Sequence, residues 1–216
     1  MAITVQEALD SDIPRACEVE MAAYSNAYSP NPISSILFPG PFPPDSQEKR
    51  AQGLISERKG DLSTRYMKAV DEETGQLIAF SKWHIYDTPE SAAAAERSVD
   101  IRQGMNKEAF TAFFGGLAKR KKELIGSKPH IYLHLLHTDP KFQKRGAGGL
   151  LLKWGMDKSN ELGFPVYLES TPDGHPFYLK YGFKDIEEFA LDISRFGGGD
   201  KPHVTPLMLR EPASGS

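Results

Sequence analysis

The chain has 216 residues and a mass of 24.0 kDa, the size of one domain. A hydrophobic fraction of 39% with 25% charged residues provides a core, and a net charge of −3 argues against binding duplex nucleic acid by phosphate neutralisation. No apolar run approaches the roughly 18 residues of a membrane span, MAITVQEALDSD has neither the basic nor the apolar region of a secretion signal, and the single Cys17 excludes an intrachain disulfide framework and a cysteine-rich metal site. A cytoplasmic protein without membrane or nucleic-acid partners is the expectation.

Ile3 to Glu7 reads as a short strand. Asp10-Ser11-Asp12 with Pro14 opens a helix to about Ala23. Residues 24 to 44 break every periodic pattern with six prolines between Pro30 and Pro44, yet include Ile33, Ile36, Leu37, Phe38 and Phe42. So many large apolar groups predict a loop that covers something; a surface loop is the plainer alternative. Asp45 or Ser46 caps a second helix to about Lys59. Ser63–Val70 and Gln76–Tyr86, joined by a polar turn ending in Gly75, read as a hairpin. Residues 87 to 99 read as an irregular insertion. Met105 to Leu124 reads as a helix with Phe110, Phe113, Phe114, Leu117 and Leu124 inward and KRKKE in solvent.

The second half alternates clearly. His130–His137 is a strand. Arg145–Leu162 is a helix stopped by Gly163, with Ala147, Leu150, Leu151, Trp154 and Leu162 on its apolar face. Val166–Ser170 is a strand, His175–Tyr181 a short helix, Phe183–Leu191 and Val204–Leu209 strands. A single domain over 1–211 is expected, with 212–216 a flexible tail. The order of elements indicates a mixed α/β or α+β sheet.

The most informative stretch is Asp139 to Gly149, DPKFQKRGAGG, between a strand and a helix. Small residues at a helix start let unpaired N–H groups approach a diphosphate, and the helix dipole favours negative charge there. Lys144 and Arg145 can screen it. A tight glycine-rich connection is the plainer reading. The Walker A pattern fails because Gly149 precedes Leu150. The dinucleotide fingerprint fits Gly146 and Gly148 but has Leu151 at its third glycine.

Leu136-His137-Thr138-Asp139-Pro140 followed by Gln143-Lys144-Arg145-Gly146-Ala147-Gly148 resembles motif A of the GCN5-related N-acetyltransferase (GNAT) superfamily. Gly174 to Phe183, GHPFYLKYGF, resembles its later motif B. The resemblance covers roughly residues 130 to 190, and the long segment between the third and fourth strands resembles that of uncharacterised fungal-type members. It implies a mixed, mostly antiparallel sheet of about seven strands, flanked by helices and splayed into a V between the fourth and fifth. It also implies acetyl-CoA in that V. The pantetheine would pair with Leu136, His137 and Thr138 through a bulge, and the pyrophosphate would sit on Gln143, Lys144, Arg145, Gly146, Ala147, Gly148 and Gly149.

The same resemblance casts Tyr178 as the acid that serves the coenzyme sulfur, with Tyr181 as an aromatic packing residue. The Thr138 amide is the candidate oxyanion donor. His134 is the leading base, since imidazole accepts a proton near neutrality; the arylalkylamine branch has histidine at this position, and its companion histidine is Tyr132 here. Glu169 is the second candidate, as a base or as a site for a cationic acceptor. A packed histidine and a strand-end carboxylate are the structural alternatives. No metal is expected, because His130, His134 and His137 diverge on an extended strand and no thiolate or carboxylate cluster joins them. Trp83, Tyr86 and the Pro-rich segment are candidate walls for the acceptor, and Cys17 is not cast as a nucleophile. The expected activity is acetyl transfer to the primary amine of a small molecule by direct attack in a ternary complex. A protein or peptide acceptor and a non-catalytic acyl-CoA-binding module are the alternatives. Related folds often pair, so a homodimer is an option.

Overall fold

Seven strands form one sheet in the computed structural model, which describes residues 2–25, 32–95 and 101–213. In chain order the elements are β1 (Ile3–Glu7), α1 (Ile13–Ala23), α2 (Pro32–Leu37), α3 (Ser46–Gly60), β2 (Thr64–Asp71), β3 (Gln76–Tyr86), α4 (Pro89–Ala93), α5 (Lys107–Leu124), β4 (His130–Thr138), α6 (Ala147–Leu162), β5 (Val166–Glu169), α7 (His175–Lys180), β6 (Lys184–Leu191) and β7 (His203–Arg210). The sheet order is β1-β2-β3-β4-β5-β7-β6, antiparallel except for the β4–β5 pair. This is the mixed, mostly antiparallel architecture that the motifs imply.

The two faces carry different cores. On one, α6 packs Leu151 and Leu152 against Trp83, Ile131, Leu133, Val166 and Met208. Burial of each such side chain contributes about 1.5–3 kcal/mol. Trp83 closes on the helix because Gly155 has no side chain; a Cβ there would overlap the indole. On the other face α1 and α3 cover β2 and β3 through Ile13, Val19, Leu54, Tyr66 and Phe80. Beside them α2 and α5 cover Tyr86, Tyr132 and Tyr167.

Several expectations need correction. Residues 32–37 form a helix within the segment read as aperiodic, because burying Ile33, Ile36 and Leu37 against α5 outweighs weak local propensity. Residues 89–93 form a helix capped by Thr88. The remainder of those two segments, 26–31 and 96–100, and residues 214–216 of the tail lie outside the described residues. The helix expected from Arg145 begins at Ala147, because Gly146 holds a left-handed φ of 93°. Leu150 and Leu162, placed on its inner face, are 39% and 38% exposed, whereas Leu152 is buried. Trp83 belongs to the α6 core and does not wall a pocket. Lys121, assigned to solvent with KRKKE, has its Nζ 4.8 Å and 4.6 Å from the ring centroids of Tyr86 and Tyr132.

Candidate active site

The β4–β5 ladder pairs Ile131 to Leu133 with Val166 to Leu168 and then stops. β4 continues to Thr138 along β3 alone. The two strands part where β4 carries an extra residue: Lys82 faces Leu135 and Trp83 faces Leu133, so His134 is the bulge. The bulge therefore lies at His134, ahead of the 136–138 segment expected to carry it. Beyond it the ladder is regular, and the Asp139 amide donates to Ile78 O at 2.8 Å. By antiparallel alternation the backbone of His137 then bonds β3, while that of Leu136 and Thr138 faces the gap. His137 is thus corrected: its main chain is used in the sheet. Its ring is buried and stacked on Phe80 at 5.6 Å. Burial pulls its pKa down to about 4.

The loop after β4 is held at both ends. Asp139 caps the turn 140–142 by accepting from the Lys141 amide at 3.0 Å and pairs with Arg15 of α1. Arg145 Nη1 donates to Asp71 at 2.9 Å, at the end of β2, and its guanidinium lies over Phe142. The expectation that Arg145 screens a phosphate is corrected accordingly: its side chain is committed to Asp71, whose carboxyl it holds below the usual range. Lys144 is exposed at a left-handed φ of 62°, and with Gly146 it gives the backbone shape in which successive amides converge on one concavity. Gln143 is exposed beside it. Among the described residues no hydrogen bond within the chain uses the amides of Gln143 to Gly149, and the helix dipole of α6 points there. Gly149 makes room for the Tyr181 hydroxyl, and Gly148 lies beside the Thr138 side chain and Phe177. The amides and the missing Cβ atoms fit a diphosphate.

Tyr178, on α7, packs against Phe177 and Phe183 at 5.2 Å and 5.8 Å. Burial first, and then the Tyr24 phenol at the end of α1, hold its pKa above the ordinary value, so the hydroxyl keeps its proton. Tyr24 lies on the opposite face of the sheet, edge-on to His137.

On the α1/α3/α5 face the gap opens into a cleft of about 2200 Å³ whose walls include Leu37, Phe38, Phe42, Tyr86, Phe110 and Phe114. The described part of the Pro-rich segment and Tyr86 therefore line it. His134 and Glu169 line it too. Glu169 Oε2 accepts from Tyr132 Oη at 2.7 Å, and Oε1 from Tyr167 Oη at 3.4 Å. Cys17 also lies on the wall, but burial pushes its thiol up to about 11, which keeps it protonated and a poor nucleophile.

His134 Nδ1 lies 3.3 Å from Nε2 of His84, and His84 Nδ1 lies 3.1 Å from Asp61 Oδ2. Sequence reasoning missed His84 and Asp61, which stand 50 and 73 residues before His134. Two registers bring them together: β2–β3, in which His84 faces Thr64 three residues after Asp61, and β3–β4, in which His84 faces Tyr132. Glu57, paired with the buried Lys82, joins the group: ligand atoms of Glu57, His84 and His134 lie within 4.8 Å of one another. The argument that no carboxylate accompanies the histidines is corrected on that point.

The profile of the Acetyltransferase (GNAT) family matches residues 32–183. The probable acyltransferase SID5 of Ajellomyces capsulatus is 49% identical over 49 residues, 23% of this chain. The match spans only 36% of that relative's length. In fold, an HPA2-type histone acetyltransferase of Corynebacterium glutamicum has a TM-score of 0.62 and 21% identity, over 100% of this chain and 99% of its own. The C-terminal condensation domain of Ebony, in complex with beta-alanyl-dopamine, has a TM-score of 0.73 at 13% identity, over 98% and 99%.

Proposed function

The chain belongs to the Acetyltransferase (GNAT) family, and on that premise we propose that it transfers an acetyl group from acetyl-CoA to the primary amine of a small molecule by direct attack in a ternary complex. The observation that carries this reading is the parting of β4 and β5 beside a loop whose amides, from Gln143 to Gly149, have no partner within the described chain. Acetyl-CoA supplies the acetyl group activated as a thioester. The loop amides hold the diphosphate, and the main chain of Leu136 and Thr138 pairs with the pantetheine arm in place of a strand.

An alkylammonium with a pKa of about 10 must lose a proton before it can attack. His134 takes it. The new N–C bond forms as the C–S bond breaks, with the Thr138 amide donating to the oxyanion. Tyr178 holds a proton at the departing sulfur. Glu169 faces the cleft as a carboxylate that attracts the acceptor's cation.

The aromatic-lined cleft supports a small acceptor with an apolar body, and the beta-alanyl-dopamine bound by the Ebony domain is an amide of such an amine. The test is mass spectrometry of the purified chain with acetyl-CoA against polyamines, arylalkylamines, amino sugars and peptides. Acetylation of small amines is expected. Modification of peptides alone would assign the acceptor to proteins, and coenzyme binding with no transfer at all would reduce the chain to an acyl-CoA-binding module.

A further inference from the structure

We propose that Asp61 and His84 are positioning residues that, with His134, form a hydrogen-bonded relay that keeps hydrogen on His134 Nδ1 and leaves Nε2 to take the acceptor's proton. The inference deepens the acetyl-transfer reading and rests on it for the origin of the proton.

The hydrogen bonds fix the tautomers. An ionised carboxylate only accepts, so the 3.1 Å contact requires His84 Nδ1 to carry hydrogen. Ser63 Oγ and Thr64 Oγ1 also lie near that nitrogen, at 3.2 Å and 3.3 Å, and both hydroxyls donate to Asp61, which leaves their oxygens to accept from Nδ1–H. A neutral imidazole with Nδ1–H has its lone pair on Nε2. His84 Nε2 therefore accepts from His134 Nδ1–H at 3.3 Å, which makes Nε2 the basic atom of His134. The rings cannot readily turn to undo this. His84 is stacked against Tyr86 at 5.6 Å and Tyr132 at 5.9 Å, and His134 against Tyr132 at 5.3 Å.

The charges around the relay agree with it. Glu57 and Lys82 form an ion pair beside it, Lys121 lies over Tyr86 and Tyr132, and His130 packs on Tyr86. Burial lowers the His84 pKa, while the bonds from His84 and Ser63 keep Asp61 well below the usual carboxylate range. The resting relay thus begins with a carboxylate at Asp61 and a neutral imidazole at His84. The Lys82 ammonium disfavours the other use of the cluster, a divalent cation between Glu57 and the two histidines.

The proton count balances. R–NH3+ gives one proton to His134 Nε2, which makes His134 an imidazolium; after acetyl transfer that same Nε2 proton leaves to water in the cleft, and Nδ1 keeps its hydrogen throughout. Each N–H bond broken is matched by an N–H or O–H bond made, and no electrons change hands.

The experiment is ¹⁵N NMR of histidine-labelled full-length protein at neutral pH, paired with pH–rate profiles. Nδ1–H tautomers are expected for both His84 and His134. Asp61→Asn should mix the His134 tautomers, lower kcat about tenfold and displace the acid limb of the kcat profile, with KM for acetyl-CoA unchanged; Asp61→Glu should restore part of the loss. An Nε2–H tautomer for His134 in the wild type would overturn the relay. So would Asp61→Asn and His84→Gln keeping the wild-type profile while His134→Gln loses its limb. Coordination of added Zn2+ by both imidazoles would assign the cluster to a metal and also overturn it. Wild-type protein with both Nδ1–H tautomers but no acetyl transfer would overturn the acetyl-transfer reading, and with it the proton-accepting part of the proposal.

Discussion

Tyr132 donates its hydroxyl to Glu169 at 2.7 Å, joining β4 to the tip of β5 immediately before the two strands part. The bond holds a carboxylate at the mouth of the gap and orients it toward the cleft. If that carboxylate receives the acceptor's cation, Glu169→Gln raises KM for the amine about tenfold, the cost of losing one charged hydrogen bond, and leaves the kcat profile in place. Steady-state kinetics across pH checks this; loss of the acid limb would instead make Glu169 the base.

Tyr178→Phe is expected to lower kcat about 100-fold while leaving the affinity for coenzyme A unchanged. The phenyl ring keeps the contacts to Phe177 and Phe183 and removes only the proton donor. Calorimetry beside turnover measurements separates the two effects, and a loss confined to binding would contradict the acid role.

Arg145 and Asp71 form one ion pair beside the loop, so the two are expected to act on coenzyme binding as one unit. Arg145→Ala and Asp71→Asn should each weaken coenzyme A binding about tenfold, and the double variant should be little worse than either, the signature of a shared interaction. Were Arg145 instead a direct phosphate ligand, Asp71→Asn would leave binding intact or tighten it. A double-mutant cycle by calorimetry decides between them.

The buried histidines make stability depend on pH. His130 and His137 titrate near 4 in the folded chain against about 6.5 unfolded. Between those values the unfolded chain binds more protons, so stability is complete above about pH 6.5 and falls as the pH drops toward 4, by on the order of 3 kcal/mol per histidine. Urea unfolding at a series of pH values should show this slope, and His137→Phe should flatten it.

Gly155→Ala should destabilise the fold by about 1–3 kcal/mol through overpacking against Trp83. Thermal unfolding reports the loss. The mirror test is Gly53→Ala on α3, where a Cβ meets nothing within 4 Å and no loss is expected.

Much of this molecule was legible one residue at a time. Alternation in HIYLHLLH, the cap at Asp45 and the stop at Gly163 are local, and they place β4, α3 and the end of α6 within a residue or two of where they stand. The glycine-rich loop and GHPFYLKYGF were readable for the same reason, since a helix start and a short aromatic helix depend on neighbours in the chain. Leu150 and Leu152 were harder, because a helix with apolar residues on several sides does not say which side meets the sheet.

The sequence by itself determined the order of elements, the loop that can hold a diphosphate and the family. The tertiary structure decided which side chains meet. Asp61, His84 and His134 converge because β3 lies against β2 in one register and against β4 in another with one bulged residue, and Arg145 serves Asp71 because the end of β2 comes to rest beside the loop. Strand pairing is a long-range free-energy minimum, summed over the whole sheet and both cores, and no spacing along the chain encodes it.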